Sequence, residues 1–104
     1  MERLSNSAID ETMASFPEWS QTGDAIQRTF QFGDFVQAMK FVNRVAEVAE
    51  AAQHHPDMLI RWDKVTLTLS THDAGGITHL DFDLAGKCDQ FALSMAQDAP
   101  KKPA

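Results

Sequence analysis

A chain of 104 residues, 43% hydrophobic and 23% charged, has the length and composition of one globular domain with a single modest core. Its formal net charge of −6 speaks against a nucleic-acid partner, because duplex binding needs a basic footprint to displace counterions. No apolar run reaches the roughly 18 residues that span a bilayer, the opening MERLSNSAIDETMA lacks the basic-then-apolar order of a signal peptide, and the lone Cys88 cannot form an internal disulfide, which together point to a cytoplasmic protein with no membrane partner.

Ser7 is placed to cap a first helix of about two turns whose apolar side carries Ile9, Met13 and Phe16. Pro17 closes it, since the residue before a proline is pushed out of the helical region. Trp19 to Gln21 then reads as a short strand with TGD as its turn. In residues 25 to 32, Ile26, Arg28, Phe30 and Phe32 alternate with Gln27, Thr29 and Gln31, the period of a half-buried strand. Asp34 caps a long helix running to about Gln53. Phe35, Met39, Val42, Ala46 and Ala49 make one apolar row along it, and Phe41, Val45, Val48 and Ala52 make a second. One row suffices to cover a sheet, so the second is expected to meet either a partner subunit or the other helices.

Pro56 ends that helix. MLIRW and KVTLTLST follow as a hairpin joined at Asp63-Lys64, with Val65, Leu67 and Leu69 facing the core. DAGG is a turn, and Thr78 opens a last helix with Leu80, Leu84, Cys88 and Phe91 on its inner face; Gly86 weakens it by roughly 1 kcal/mol relative to alanine. The expected fold is α+β in the order α-β-β-α-β-β-α: a four-stranded antiparallel sheet with three helices packed on one face. Residues 1–96 form the domain, and 97–104, with Lys101 and Lys102, read as a flexible tail.

The histidines raise the question of chemistry. Glu50 and His54 are four apart, so on a helix the carboxylate would lie over the imidazole. Pro56 restricts His55 to an extended conformation, so the two neighbouring rings point in different directions. Simple helix termination is the alternative for both. His72 closes the second hairpin strand, either as a functional group at a loop or as a solvated turn residue. Asp81 follows Thr78 by three, a capping-box spacing that explains it without function. His79 reads as surface. An adjacent His-His pair is poor metal-ligand spacing, and Cys88 on a buried face is inert packing. Acid–base work by converging imidazoles remains as the chemistry.

The spacing Glu50, three residues, His54-His55-Pro56, five residues, Trp62, nine residues, His72, eight residues, Asp81 resembles the signature of the pterin-4a-carbinolamine dehydratases. The segments RTFQFGDFVQAMKFV and VTLTLSTHDAGGIT are similar too, so the likeness runs from about Trp19 to Phe91. It implies a cofactor-free dehydratase acting on a small pterin, 4a-hydroxytetrahydropterin, and linked to an aromatic amino acid hydroxylase that produces it. It also implies a homodimer or homotetramer. By this resemblance His54 and His72 transfer protons and His55 holds the substrate. Asp81 orients a histidine or the ring, Glu50 supports His54, Trp62 walls the pocket, and Ser70 and Thr71 offer main-chain hydrogen bonds. Met58 stands where animal members often carry an aromatic residue, which alters the pocket rim. The alternative is a protein-binding or assembly module of the same fold.

Overall fold

Alternation in the strands decides which face of the sheet is covered. The computed structural model describes residues 2–98, with helix α1 at Asn6–Met13, strands β1 at Ser20–Thr22 and β2 at Ala25–Gln31, helix α2 at Phe35–Ala52, strands β3 at Asp57–Arg61 and β4 at Lys64–Leu69, a 3-10 turn at His72–Ala74 and helix α3 at His79–Asp98. The strands lie in the order β1-β2-β4-β3, each antiparallel to its neighbour. Ile26 pairs with Leu69 and Phe30 with Val65, and all four are buried. Thr29, Thr66 and Leu59 line up on the opposite face. The architecture is the expected α+β layer.

Helix α2 covers the inner face. Phe41 is fully buried between Phe30 and Phe32, with ring centroids 4.7 and 4.9 Å away. Burying such a side chain contributes roughly 1.5–3 kcal/mol. Asp34 caps the helix as expected, its Oδ1 accepting from the Gln37 N–H at 2.8 Å. The two apolar rows do not separate as expected. The buried stripe takes Val42 and Ala49 from the first row and Phe41 and Val45 from the second, and adds Ala38 from neither, while Phe35, Ala46 and Ala52 are exposed. Packing against α3 as well as β4 centres the stripe between the rows.

Three local expectations shift. Ser5, not Ser7, caps α1, accepting from the Ala8 N–H at 3.1 Å. Ser5, Asn6 and Ser7 are all good caps, and the choice falls on Ser5 because the Leu4 N–H is tied to the Ile77 carbonyl at 2.8 Å, fixing where the chain turns. Strand β1 starts at Ser20, because Trp19 is drawn into the core. The β3–β4 loop is Trp62-Asp63, closed by the pair Arg61 and Lys64, and not Asp63-Lys64. That register keeps Met58 and Ile60 beside Leu67 and Val65 on the inner face; a one-residue slip would turn them out. Helix α3 buries Phe82, Leu84, Ala85 and Cys88, with Leu80 and Phe91 half-buried. It extends to Asp98, past the expected boundary at residue 96, and the rest of the expected tail lies outside the described residues.

Candidate active site

The end of α2 determines where the adjacent histidines go. Gln53 adopts the left-handed conformation, φ 52°, in the position where glycine is usual. Its N–H reaches the Glu50 carbonyl at 3.1 Å and the His54 N–H reaches the Ala49 carbonyl at 3.0 Å, a Schellman closure. His54 has therefore left the helix, and Pro56 holds the chain extended into β3.

Strand pairing then gathers the other candidates. Asp57 pairs with Thr68, so the start of β3 lies beside the end of β4. Past Leu69 the chain runs through Ser70 and Thr71 into the 3-10 turn that begins with His72. A bridge between Thr71 and Gly76 folds this loop back, with the Thr71 N–H donating to the Gly76 carbonyl at 2.9 Å. Thr78 and Asp81 follow directly, at the start of α3.

Asp81 is the hub. Its side chain is wholly buried, and its Oδ1 lies 2.6 Å from His54 Nε2, whose ring is 10% exposed. Its Oδ2 accepts from the Thr78 N–H at 2.9 Å and from the Thr71 hydroxyl at 2.9 Å. Asp81 thus bonds the N-terminus of α3 and the His54 ring at once.

The partner expected for Glu50 is corrected. Glu50 Oε2 meets His55 Nε2 at 3.2 Å, not His54. The i, i+4 argument assumed that the helix continued through His54, and the left-handed Gln53 ends it first. The hydrogen bond from His55, aided by one from Gln53, holds the Glu50 carboxyl below the usual glutamate range. Both residues are largely exposed, at 58% for His55 and 72% for Glu50.

Other expected residues fall in different places. His72 is exposed beside Thr71, and His79 is an exposed first residue of α3. The Ser70 hydroxyl donates to the Asp24 carbonyl at 2.7 Å. The Thr71 hydroxyl bonds Asp81 and Thr78, while its N–H and carbonyl are engaged within the loop by Gly76 and Ala74. Trp62 is not brought to the histidines within this chain. It sits in the β3–β4 loop at the far end of the strand, 73% exposed and with φ 58°. Met58 is half-buried against the core. The hydroxyls of Thr71 and Thr78 were missed by sequence reading. The signal for Thr71 was available, since it continues the inward alternation of Val65, Leu67 and Leu69.

A cavity of about 530 Å³ opens elsewhere, between β2 and the ends of α2 and α3, and shares no residue with the histidine cluster. Arg28 and Asp89 at its wall are paired at 2.6 Å, and Trp19 Nε1 also donates to Asp89. The His54–Asp81 and His55–Glu50 pairs lie outside this cavity.

The family described as pterin 4 alpha carbinolamine dehydratase matches residues 2–91. The chain belongs to that family. Among other dehydratase-family proteins, one from Picosynechococcus is 53% identical over 89 residues, covering 86% of this chain and 97% of its own, and is provisionally named a pterin-4-alpha-carbinolamine dehydratase. A protein of Thermosynechococcus vestitus with the same provisional name is 51% identical over 92 residues, covering 88% and 97%. A crystal structure from Brucella melitensis, described as a transcriptional coactivator/pterin dehydratase, superimposes with TM-score 0.85 at 34% identity, covering 88% of this chain and 99% of that one. A pterin dehydratase-like protein identified as a RuBisCO assembly factor in the alpha-carboxysome shares the fold, with TM-score 0.59 at 21% identity over 71% of this chain and 86% of its own.

Proposed function

We propose that this dehydratase-family chain removes water from 4a-hydroxytetrahydropterin, giving quinonoid dihydropterin, with histidines as acid and base and no cofactor. The observation that carries the reading is the buried His54–Asp81 pair, set at the end of the sheet where His55 and His72 also emerge. In the reaction the C4a–O bond breaks with a proton delivered to the departing hydroxyl, N5 gives its proton to a base, and a C4a=N5 double bond forms. One proton is given and one taken, so the protein's proton count is unchanged, and exchange with solvent returns the acid and the base to their starting states. Paired imidazoles suit this near neutral pH.

His54 and His72 carry the two proton transfers. His55, exposed and bonded to Glu50, holds the pterin, and Ser70 offers main-chain hydrogen bonds to its ring. The substrate would come from an aromatic amino acid hydroxylase and the product would go to a reductase, in the cytosol. Phe35, Val36 and Leu93, at 48%, 60% and 61% exposed, provide apolar surface for a homodimer or homotetramer. The test is the rate of carbinolamine breakdown with purified protein. His54→Ala and His72→Ala are each expected to lower kcat/KM by roughly 10²–10⁴-fold. A folded wild-type protein with no rate above buffer overturns the reading.

A second reading, a protein-binding module, draws on the coactivator description of the Brucella structure. A stoichiometric partner recovered equally with wild type and His72→Ala would favour it.

A further inference from the structure

The hydrogens around Asp81 can be assigned by counting donors. Two donors are backbone N–H groups and cannot turn: Thr78 N–H to Asp81 Oδ2 at 2.9 Å, and Leu80 N–H to Thr78 Oγ1 at 3.2 Å. The Thr78 and Thr71 hydroxyls stand 2.7 Å apart, and Thr71 Oγ1 is 2.9 Å from Asp81 Oδ2. Each hydroxyl has one hydrogen to give. If Thr71 donated to Thr78, the Thr78 hydrogen would be left unbonded at a residue with no exposed surface. The arrangement that uses both hydrogens runs in one direction: Leu80 N–H to Thr78, Thr78 O–H to Thr71, Thr71 O–H to Asp81. Oδ2 then accepts two hydrogens and carries none. Oδ1 accepts the remaining one, across 2.6 Å, from His54 Nε2.

We infer that Thr71 and Thr78 are positioning residues whose one-way hydroxyl chain keeps the proton on His54 Nε2, so that His54 exchanges the reaction proton at Nδ1. The part played in catalysis rests on the dehydratase reading; the tautomer does not. In the neutral ring Nε2 keeps its hydrogen against Asp81, and in the charged ring Nδ1 gains a second. Nδ1 has no hydrogen-bond partner among the described residues. Because no buried side-chain nitrogen or oxygen among them lacks a partner, Nδ1 keeps access to the surface.

Long-range ¹H–¹⁵N NMR of the histidine rings in the wild-type protein tests the assignment without any substrate. The expected spectrum shows neutral His54 protonated at Nε2. Protonation at Nδ1 overturns the inference. Thr71→Val and Thr78→Val remove a hydroxyl at nearly constant volume. They are expected to mix the two tautomers and to lower kcat by about 10–100-fold while KM moves much less. Thr71→Ser and Thr78→Ser are expected to restore both readouts. Folded valine variants with unchanged tautomer and kcat sink the positioning role. If valine unfolds the protein, the wild-type spectrum and the serine variants still decide. Wild type that lacks dehydratase activity but holds the Nε2–H tautomer refutes the proposed reaction and leaves the hydroxyl chain standing.

Discussion

His54 Nε2 lies 2.6 Å from the Oδ1 of Asp81, a carboxylate with no exposed surface that is held from its other oxygen by Thr71 and Thr78. One side chain therefore links the end of α2, the loop after β4 and the first turn of α3. A buried carboxylate is tolerated only where donors replace its lost water, and here those donors are the groups that fix the site.

Asp81→Ala should therefore be costly. It leaves the Thr78 N–H, the Thr71 hydroxyl and His54 Nε2 without their acceptor. Removing one partner of a buried pair costs about 3–5 kcal/mol, most of it from donors left unsatisfied. Urea unfolding followed by circular dichroism measures this, and a loss under about 1 kcal/mol would contradict the account. Activity should be compared in Asp81→Asn, which keeps the shape.

The fold was legible because the strands and the long helix carry unambiguous periods. Ile26 and Phe30, and Val65, Leu67 and Leu69, read as inward rows and are inward. Boundaries moved where several residues could serve equally, as with Ser5 and Ser7, or where a bulky residue took a glycine-like place, as with Trp62 at φ 58°. The same limit affected the site. Gln53 carries no mark of a left-handed cap, so the sequence suggested Glu50 over His54 when the chain had already turned away. The Asp81 contact spans 27 residues and depends on tertiary folding. Local spacing reveals only its capping half.

Gly86→Ala should stabilise the protein. A Cβ at this position would stand 3.8 Å from Phe16 Cε1, an ordinary contact, so the glycine is not required by crowding. Alanine is favoured in a helix interior by roughly 1 kcal/mol. In a domain of this size that raises Tm by roughly 4–8 °C. An unchanged or lower Tm by calorimetry would show that Gly86 has another constraint.

Cys88 should be inert in the folded state. Burial, aided by the neighbouring Asp89 charge, pushes its thiol up to about 12. The thiolate is the reactive form, and little of it exists near pH 8. A colorimetric thiol reagent should label the native protein far more slowly than the urea-unfolded chain. Equal rates would mean that the packing between α3 and the sheet opens readily.

Glu50 supplies the pH dependence. Its hydrogen bond from His55, then that from Gln53 and the His55 charge, lower its carboxyl below the ordinary 4.5. A carboxyl depressed on folding contributes stability that is present above the unfolded value. That contribution is lost as pH falls through the lower folded value. Glu50 should therefore help to shape the acid limb below about pH 4.5 and add no slope near neutrality. Carbon-detected NMR titration should place its midpoint under 4.5 in the wild type. In His55→Ala it should move back toward 4.5. Because the pair is largely exposed, salt should shift the wild-type midpoint in the same direction. A midpoint unmoved by His55→Ala would mean that the carboxylate is held by Gln53 instead, and that His55 is free to turn toward a ligand.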